Sequence, residues 1–390
     1  MKNLLLLGML SVPLLSIGQI THNTNCIRSG DEIIKQQVEY KDPGRSGQNV
    51  IWDFSKLKDL NPEYKLLYFS PELIDESYYV MGKDTIPKDL VNPEDLVIGL
   101  EHYTNYYYRV KNNRLHLLGH ENPVSQMMNY PSIPVVDYPF SYQQNLNEAY
   151  SAMTIYSGTE KMYFDGNVDV SLDAQGMMIL PSKDTLRHVS RIKTIQTIIE
   201  NSDSIEAKLA LIPDTIRDEF RRPPLKSTIE THRWYVKGYR YPVFETVRNI
   251  SQTDSIESDY FTTAFFYPPV DHYYLEDDPE NLAVLEDMEN EENQDEGFDP
   301  EKWLADNFSY NYNPNPVYAG MNIEYYLGDA ASVGISLHSS THGLIKTIPI
   351  EMKQPGVYSE TIDCSVLSPG TYILRFTVRD QVISNVILKK

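Results

Sequence analysis

Strict alternation of apolar and polar residues runs through the end of this chain, and few sequence features constrain a fold more tightly. Val333, Ile335 and Leu337 alternate with Ser332, Gly334, Ser336 and His338. Tyr372, Leu374, Phe376 and Val378 alternate with Thr371, Ile373, Arg375, Thr377 and Arg379. Successive side chains of a strand point to opposite faces, so each run describes a strand with one apolar face. Runs at 322–327, 344–350, 357–362 and 382–388 bring the total to about six strands, separated by Gly- and Pro-containing turns such as Pro355-Gly356 and Pro369-Gly370. The spacing predicts a small immunoglobulin-like β-sandwich over residues 307–390.

Residues 19–270 carry a looser version of the same pattern. Runs at 163–180, 186–199, 233–250 and 260–267 are rich in β-branched and aromatic residues and read as strands. Helical spacing near 92–103 and 205–220 is interrupted by Gly99 and Pro213, so only short helices are expected there. The whole chain is therefore expected to be all-β, with a large β-sandwich-like domain ahead of the small one.

Charge separates the two. The chain carries a formal net charge of -21, and residues 271–306 hold 15 acids against one base. Like charges repel, and this stretch reads as an acidic, flexible linker. An EF-hand is excluded, because aligning Gly297 with the invariant turn glycine puts Trp303 where the bidentate Glu should stand. The remainder is only mildly acidic, which argues against a nucleic-acid partner.

Residues 1–18 place Lys2 before an apolar run from Leu4 to Leu15 and the small residues Ser16 and Gly18, the plan of a secretory signal peptide. No later run is long enough for a transmembrane helix. An exported protein, at the cell surface or extracellular, is expected. Cys26 and Cys364 lie far apart and read as small buried residues rather than as a disulfide.

Residues 313–390 resemble the type A C-terminal sorting domain of the type IX secretion system of Bacteroidota. The resemblance rests on Asn313-Pro314-Asn315-Pro316, on Met321 to Tyr325, and on His342-Gly343-Leu344-Ile345. It rests further on Leu367 to Phe376, with Gly370, Tyr372 and Leu374, and on the final Lys389-Lys390. It implies that the domain is an export address recognised by an outer-membrane translocon. Gly47 to Ser55, with Arg233-Trp234-Tyr235 and Gly238 to Thr246, resembles exported Bacteroidota proteins with which no defined activity travels.

No catalytic or cofactor signature stands out in the large domain, and no cofactor is expected. Asp165, Asp169, Asp173 and Glu245 fall on strands and keep open a carboxylate-dependent glycoside hydrolase. His188 and His232, with Asp184, are the histidine grouping to watch. Twenty of the 29 tyrosines lie in this domain. Tyr106, Tyr107, Tyr108, Tyr235 and Tyr239 are the candidates for a face that binds glycan or protein, since Tyr combines a flat apolar ring with a polar edge. Asp followed by Ser or Thr and an apolar residue recurs at Thr85, Thr185, Ser204, Thr215 and Ser255. This pattern resembles the O-glycan attachment sequence of exported Bacteroidota proteins, and it also fits a turn entering a strand. The reading is of a surface or secreted binding protein, with a hydrolase or a structural envelope component as the alternatives.

Overall fold

The computed structural model describes residues 20–71, 73–74, 77–78, 93–253, 256–292, 300–339, 343–379 and 381–390. The expected signal peptide lies outside them, as do Thr85 and Ser255. The first strands are β1 (Glu32–Ile34), β2 (Gln36–Val38), β3 (Gly47–Asp53), β4 (Asp59–Asn61), β5 (Lys65–Phe69), β6 (Leu73–Ile74), β7 (Ser77–Tyr78) and β8 (Leu96–Glu101). A meander follows: β9 (Thr104–Lys111), β10 (Arg114–Glu121), β11 (Ser125–Asp137), β12 (Asn145–Tyr156), β13 (Glu160–Ile179), β14 (Thr185–Glu200), β15 (Lys226–Tyr235), β16 (Phe244–Thr253) and β17 (Ile256–Phe266). The C-terminal strands are β18 (Phe308–Asn313), β19 (Gly320–Leu327), β20 (Ala331–Ser339), β21 (Gly343–Lys353), β22 (Gly356–Asp363), β23 (Gly370–Val378) and β24 (Gln381–Lys389). Among the described residues the α-helices are α1 (His22–Asn25), α2 (Ser202–Leu209), α3 (Pro279–Glu292) and α4 (Pro300–Asn307). The all-β reading holds.

From β8 to β17 each strand pairs antiparallel with its successor. The ring is closed by residues 32–38. β1 pairs with β5, which pairs with β8, while β2 pairs with β17. Lys35 alone stands between β1 and β2. Closure removes the open edges that an unpaired sheet would present.

Alternation along β15 sorts the two faces of the wall. Trp234 points outward, fully buried against Trp52 and Phe54 around β3. Arg233 and Tyr235 point inward. The interior core gathers Tyr138, Tyr150, Val168, Val170, Leu172 and Ile192, with Ile33, Tyr68, Phe265 and Tyr267 at the closing seam.

The C-terminal domain is a sandwich of seven strands. β18, β19 and β22 form one sheet and β21, β20, β23 and β24 the other, over a core of Ile323, Tyr325, Ile335, Leu374 and Phe376. The periodicity locates six of these strands. β18 escapes it because its buried Phe308, Ser309 and Tyr310 do not alternate with exposed residues.

Two expectations are corrected. Of the stretch with helical spacing near 92–103, only Pro93–Asp95 is a short turn of 3₁₀ helix, and Leu96–Glu101 is the strand β8. Leu96, Val97, Ile98 and Gly99 are all buried, because β8 lies between β5 and β9 with protein on both faces. Nor is the acidic stretch a free linker along its whole length. α3 follows Asp278, which is fully buried and bonded to the buried Arg240 guanidinium at 2.6 and 2.8 Å. A buried carboxylate needs such a partner, and the partner fastens the helix to the large domain.

Candidate functional site

Both cysteines are free and buried. Burial lifts the Cys26 thiol to about 11 and raises Cys364 as well, so both are neutral small residues rather than nucleophiles.

The candidate tyrosines divide by strand parity. Tyr106 and Tyr108 face the interior from β9, and Tyr235 faces it from β15. Tyr107 points the other way, 2% exposed, and donates from its hydroxyl to Glu121 Oε2 at 2.8 Å. Tyr239 lies apart, edge-on to His272 at 5.3 Å. These residues do not make an exposed aromatic strip. In a closed sheet every second residue faces inside, and Tyr suits an interior that is partly polar.

That interior is charged. Lys35 Nζ contacts Glu101 Oε1 at 2.5 Å and Glu245 Oε1 at 3.4 Å, and Arg233 Nε donates to Glu245 Oε2 at 2.7 Å. Burial alone would raise the Glu245 pKa, but Lys35 and Arg233 bring it down to about 2. Burial opposes the Lys35 charge, and Glu245 and Glu101 outweigh it, so its pKa rises. Lys35 also sits 4.0 Å from the centre of the Phe265 ring. Burial pushes Tyr106 and Tyr235 up to about 12, and Tyr108 higher.

One group of exposed aromatics lies on the outer face of β11, β12 and β13. Met128, Met153 and Tyr163 are directly opposed across the three strands, and so are Tyr130, Ser151 and Asp165. Tyr130 is 79% exposed and Tyr163 46%. With α2 as a wall they bound a groove of about 510 Å³ that also reaches Asn201, Asp203 and Ser204. Ser151 Oγ donates to Asp165 Oδ1 at 2.7 Å, and Asn201 Nδ2 to Oδ2 at 2.8 Å, so first Ser151 and then Asn201 lower the Asp165 pKa. Asn201 also caps α2, accepting from the Asp203 and Ser204 amides, and its own amide donates to the Tyr163 carbonyl at 2.8 Å. One residue thus holds helix, strand and carboxylate together. Further along, Asn145 and Asn147 donate to Asp169 Oδ2 at 3.4 and 3.1 Å.

The four carboxylates weighed for hydrolysis are each held by different partners. Asp165 has Ser151 and Asn201, Asp169 has Asn145 and Asn147, and Asp173 takes the Arg191 guanidinium at 2.6 and 2.9 Å. Glu245 lies in the interior cluster. Among the described residues, every carboxyl group with a resolved shift is displaced downward. The histidines do not meet: His188 Nε2 pairs with Asp306 at 3.1 Å, while His232 lies beside Trp234. No group of three metal-ligating side chains occurs among the described residues.

Thr185 and Thr215 are exposed and Ser204 is half-buried in the first turn of α2. The turn-into-strand alternative describes Thr185, the first residue of β14, but not Ser204.

In the sandwich the singled-out residues organise its end. Asn315, between Pro314 and Pro316, accepts from the Leu388 amide at 2.9 Å and donates to the Val386 carbonyl at 3.3 Å. Gly370 opens β23 opposite Lys389, at a φ of +155°. The Tyr372 hydroxyl donates to the Ser368 carbonyl at 2.9 Å, and Leu374 is fully buried. Gly343 begins β21, and Lys390 is exposed.

The groove was missed in the sequence because Tyr130 and Tyr163 stand on different strands. The available signal was parity: Tyr163 and Asp165 share one face of β13, opposite to Val168 and Val170. No protein-family model and no curated protein matches the chain.

Proposed function

We propose that this is an exported binding protein of the cell surface or the extracellular space, which grips glycan in the groove between α2 and the outer face of β11–β13. The C-terminal sandwich is its address for an outer-membrane translocon. The observation that carries the binding reading is the pairing of two exposed rings, Tyr130 and Tyr163, with the ordered Ser151–Asp165–Asn201 cluster. Aromatic faces stack on the apolar side of a sugar ring, and a fixed carboxylate and amide accept from and donate to its hydroxyls. The downward pKa shifts support binding over acid catalysis, because a glycosidase needs one carboxyl group raised towards neutrality. The export part rests on the resemblance of residues 313–390, and the sandwich fold suits it.

A glycan array probed with the wild type and with Tyr130→Ala and Tyr163→Ala is the test. Binding should drop at least tenfold in each variant while far-UV circular dichroism stays unchanged. Equal binding by both variants would refute the groove.

A further inference from the structure

Inside the ring of the large domain, one arginine is half used. Arg233 gives its Nε to Glu245, but its two terminal nitrogens make no hydrogen bond to protein among the described residues. They are not sealed off either: the side chain retains 32% of its surface, although it lies on the inner face of the wall among Tyr108, Tyr235 and Tyr267. The hydroxyls of Tyr106, Tyr108 and Tyr235 likewise have no hydrogen-bonded protein partner among the described residues, and none is among the fully enclosed unpartnered atoms. A side chain deep in a protein that still meets water faces a cavity.

The accessibility of the wall shows where that cavity opens. Thr194 and Gln196 on β14, Ile229 and Thr231 on β15, and Val247 and Asn249 on β16 all face inward, and all are half-buried. The outward residues between them, such as Ile195, Glu230 and Arg248, are half-buried too. Water therefore reaches both faces of this part of the wall. Beyond Tyr235 the interior closes on Tyr138, Leu115, Ile133 and Cys26, each less than 10% exposed. The ring is a cup with Arg233 near its floor.

We propose that this cup binds a small amphiphile bearing one carboxylate, with the carboxylate on the free edge of Arg233 and the apolar body towards Val247 and Ile229. The guanidinium edge offers two parallel donors that match a planar carboxylate. Tyr106, Tyr108 and Tyr235 add donors and flat rings around it. Lys35 and Arg233 are balanced by Glu101 and Glu245, so the floor is neutral overall and accommodates one negative charge better than the two of a phosphate monoester. Mouths of β-barrels are recurrent sites for such ligands. The cup is separate from the outer groove and stands or falls independently of it.

The test uses the full-length protein and the fluorescent fatty acid cis-parinarate, with its methyl ester as the uncharged control. Parinarate should bind once per chain, and the ester at least tenfold more weakly. Arg233→Met should erase the difference between the two, and Arg233→Lys should restore part of it. Val247→Trp, which narrows the cup without touching the ion network, should abolish binding with an unchanged circular dichroism spectrum, and it carries the test if Arg233→Met fails to fold. No parinarate binding, equal binding of the ester, or unchanged binding by Val247→Trp would each overturn the proposal.

Discussion

Three buried groups make stability depend on acid in a predictable order. Burial first, then Arg191 and Lys193, lower the His232 pKa from 6.5 to about 2, so the folded protein refuses a proton that the unfolded chain accepts. A depressed histidine contributes its full stability above pH 6.5 and loses it as pH falls below that value, by up to about 1.4 kcal/mol per pH unit. His272, which burial lowers to about 4, acts in the same direction. Glu245 titrates at about 2 instead of 4.5, so its contribution persists down to pH 4.5 and disappears between there and 2. Urea unfolding followed by tryptophan fluorescence at pH 7.5 and 5.5 should show a loss in the wild type that is about 1 kcal/mol smaller in His232→Gln. The same loss in both would contradict the assignment. Glu245→Gln should cost about 3 kcal/mol at pH 7.5, because it leaves Arg233 and Lys35 with one fewer buried counter-charge, and should lose less on acidification below pH 4.5.

At the level of elements, α3 offers the sharpest test. Its amphipathic character is weak, and little of its stability comes from its own apolar face. What holds it is Asp278, bonded to Arg240 and to Asn281 Nδ2 at 2.8 Å, while Asn281 also donates to the Thr24 carbonyl at 3.0 Å. Gly238 gives room for the contact: it sits at a φ of +81°, and a Cβ there would come within 2.4 Å of Leu285. Arg240→Ala should therefore destabilise by about 3 to 5 kcal/mol, the range for stripping a buried charge of its partner. Limited proteolysis should then cut within 279–292 before the strands are touched, and no gain in cleavage there would count against the docking. Gly238→Ala should give a milder form of the same result. This anchor explains what was legible beforehand. Strands with one apolar face, such as β20 and β23, announce themselves through period two, and β13 and β14 through their length of β-branched and aromatic residues. α3 could not, because fifteen acids in the stretch from 271 to 306 look like solvated chain until Arg240, far away in sequence, is brought to Asp278. The tyrosines are a similar case: Tyr106 and Tyr108 show their parity in the sequence, but only ring closure says that their side is the inside.

For the whole molecule, the acidic stretch does not keep the sandwich at a distance. β3 pairs in parallel with β13 and, at Val50, with Tyr310 of β18, so it is a shared seam. Tyr326 packs on Ile51, Met177 and Ile179 of the large domain. The Arg45 guanidinium lies 4.3 Å from the centre of the Tyr310 ring and donates to the Tyr310 carbonyl at 3.1 Å. Gly176 is required beside this seam, since a Cβ on it would stand 1.8 Å from the Val50 carbonyl oxygen. A seam of this kind should couple the two domains, and coupled domains unfold in one transition. Scanning calorimetry of the wild type should show a single peak, and Tyr326→Asp with Arg45→Ala should split it in two, because each domain retains its own core. Two peaks in the wild type would mean that the seam is too weak to matter. The outcome bears on export, for a coupled sandwich can present only the surface turned away from β3. If that sandwich is the translocon's address, the uncoupled variant should still reach the cell surface, whereas deletion of residues 308–390 should leave the protein in the periplasm and expose Ile51, Met177 and Ile179 to water. Surface delivery of the deleted form would remove the sorting role and leave the sandwich as a structural partner of β3.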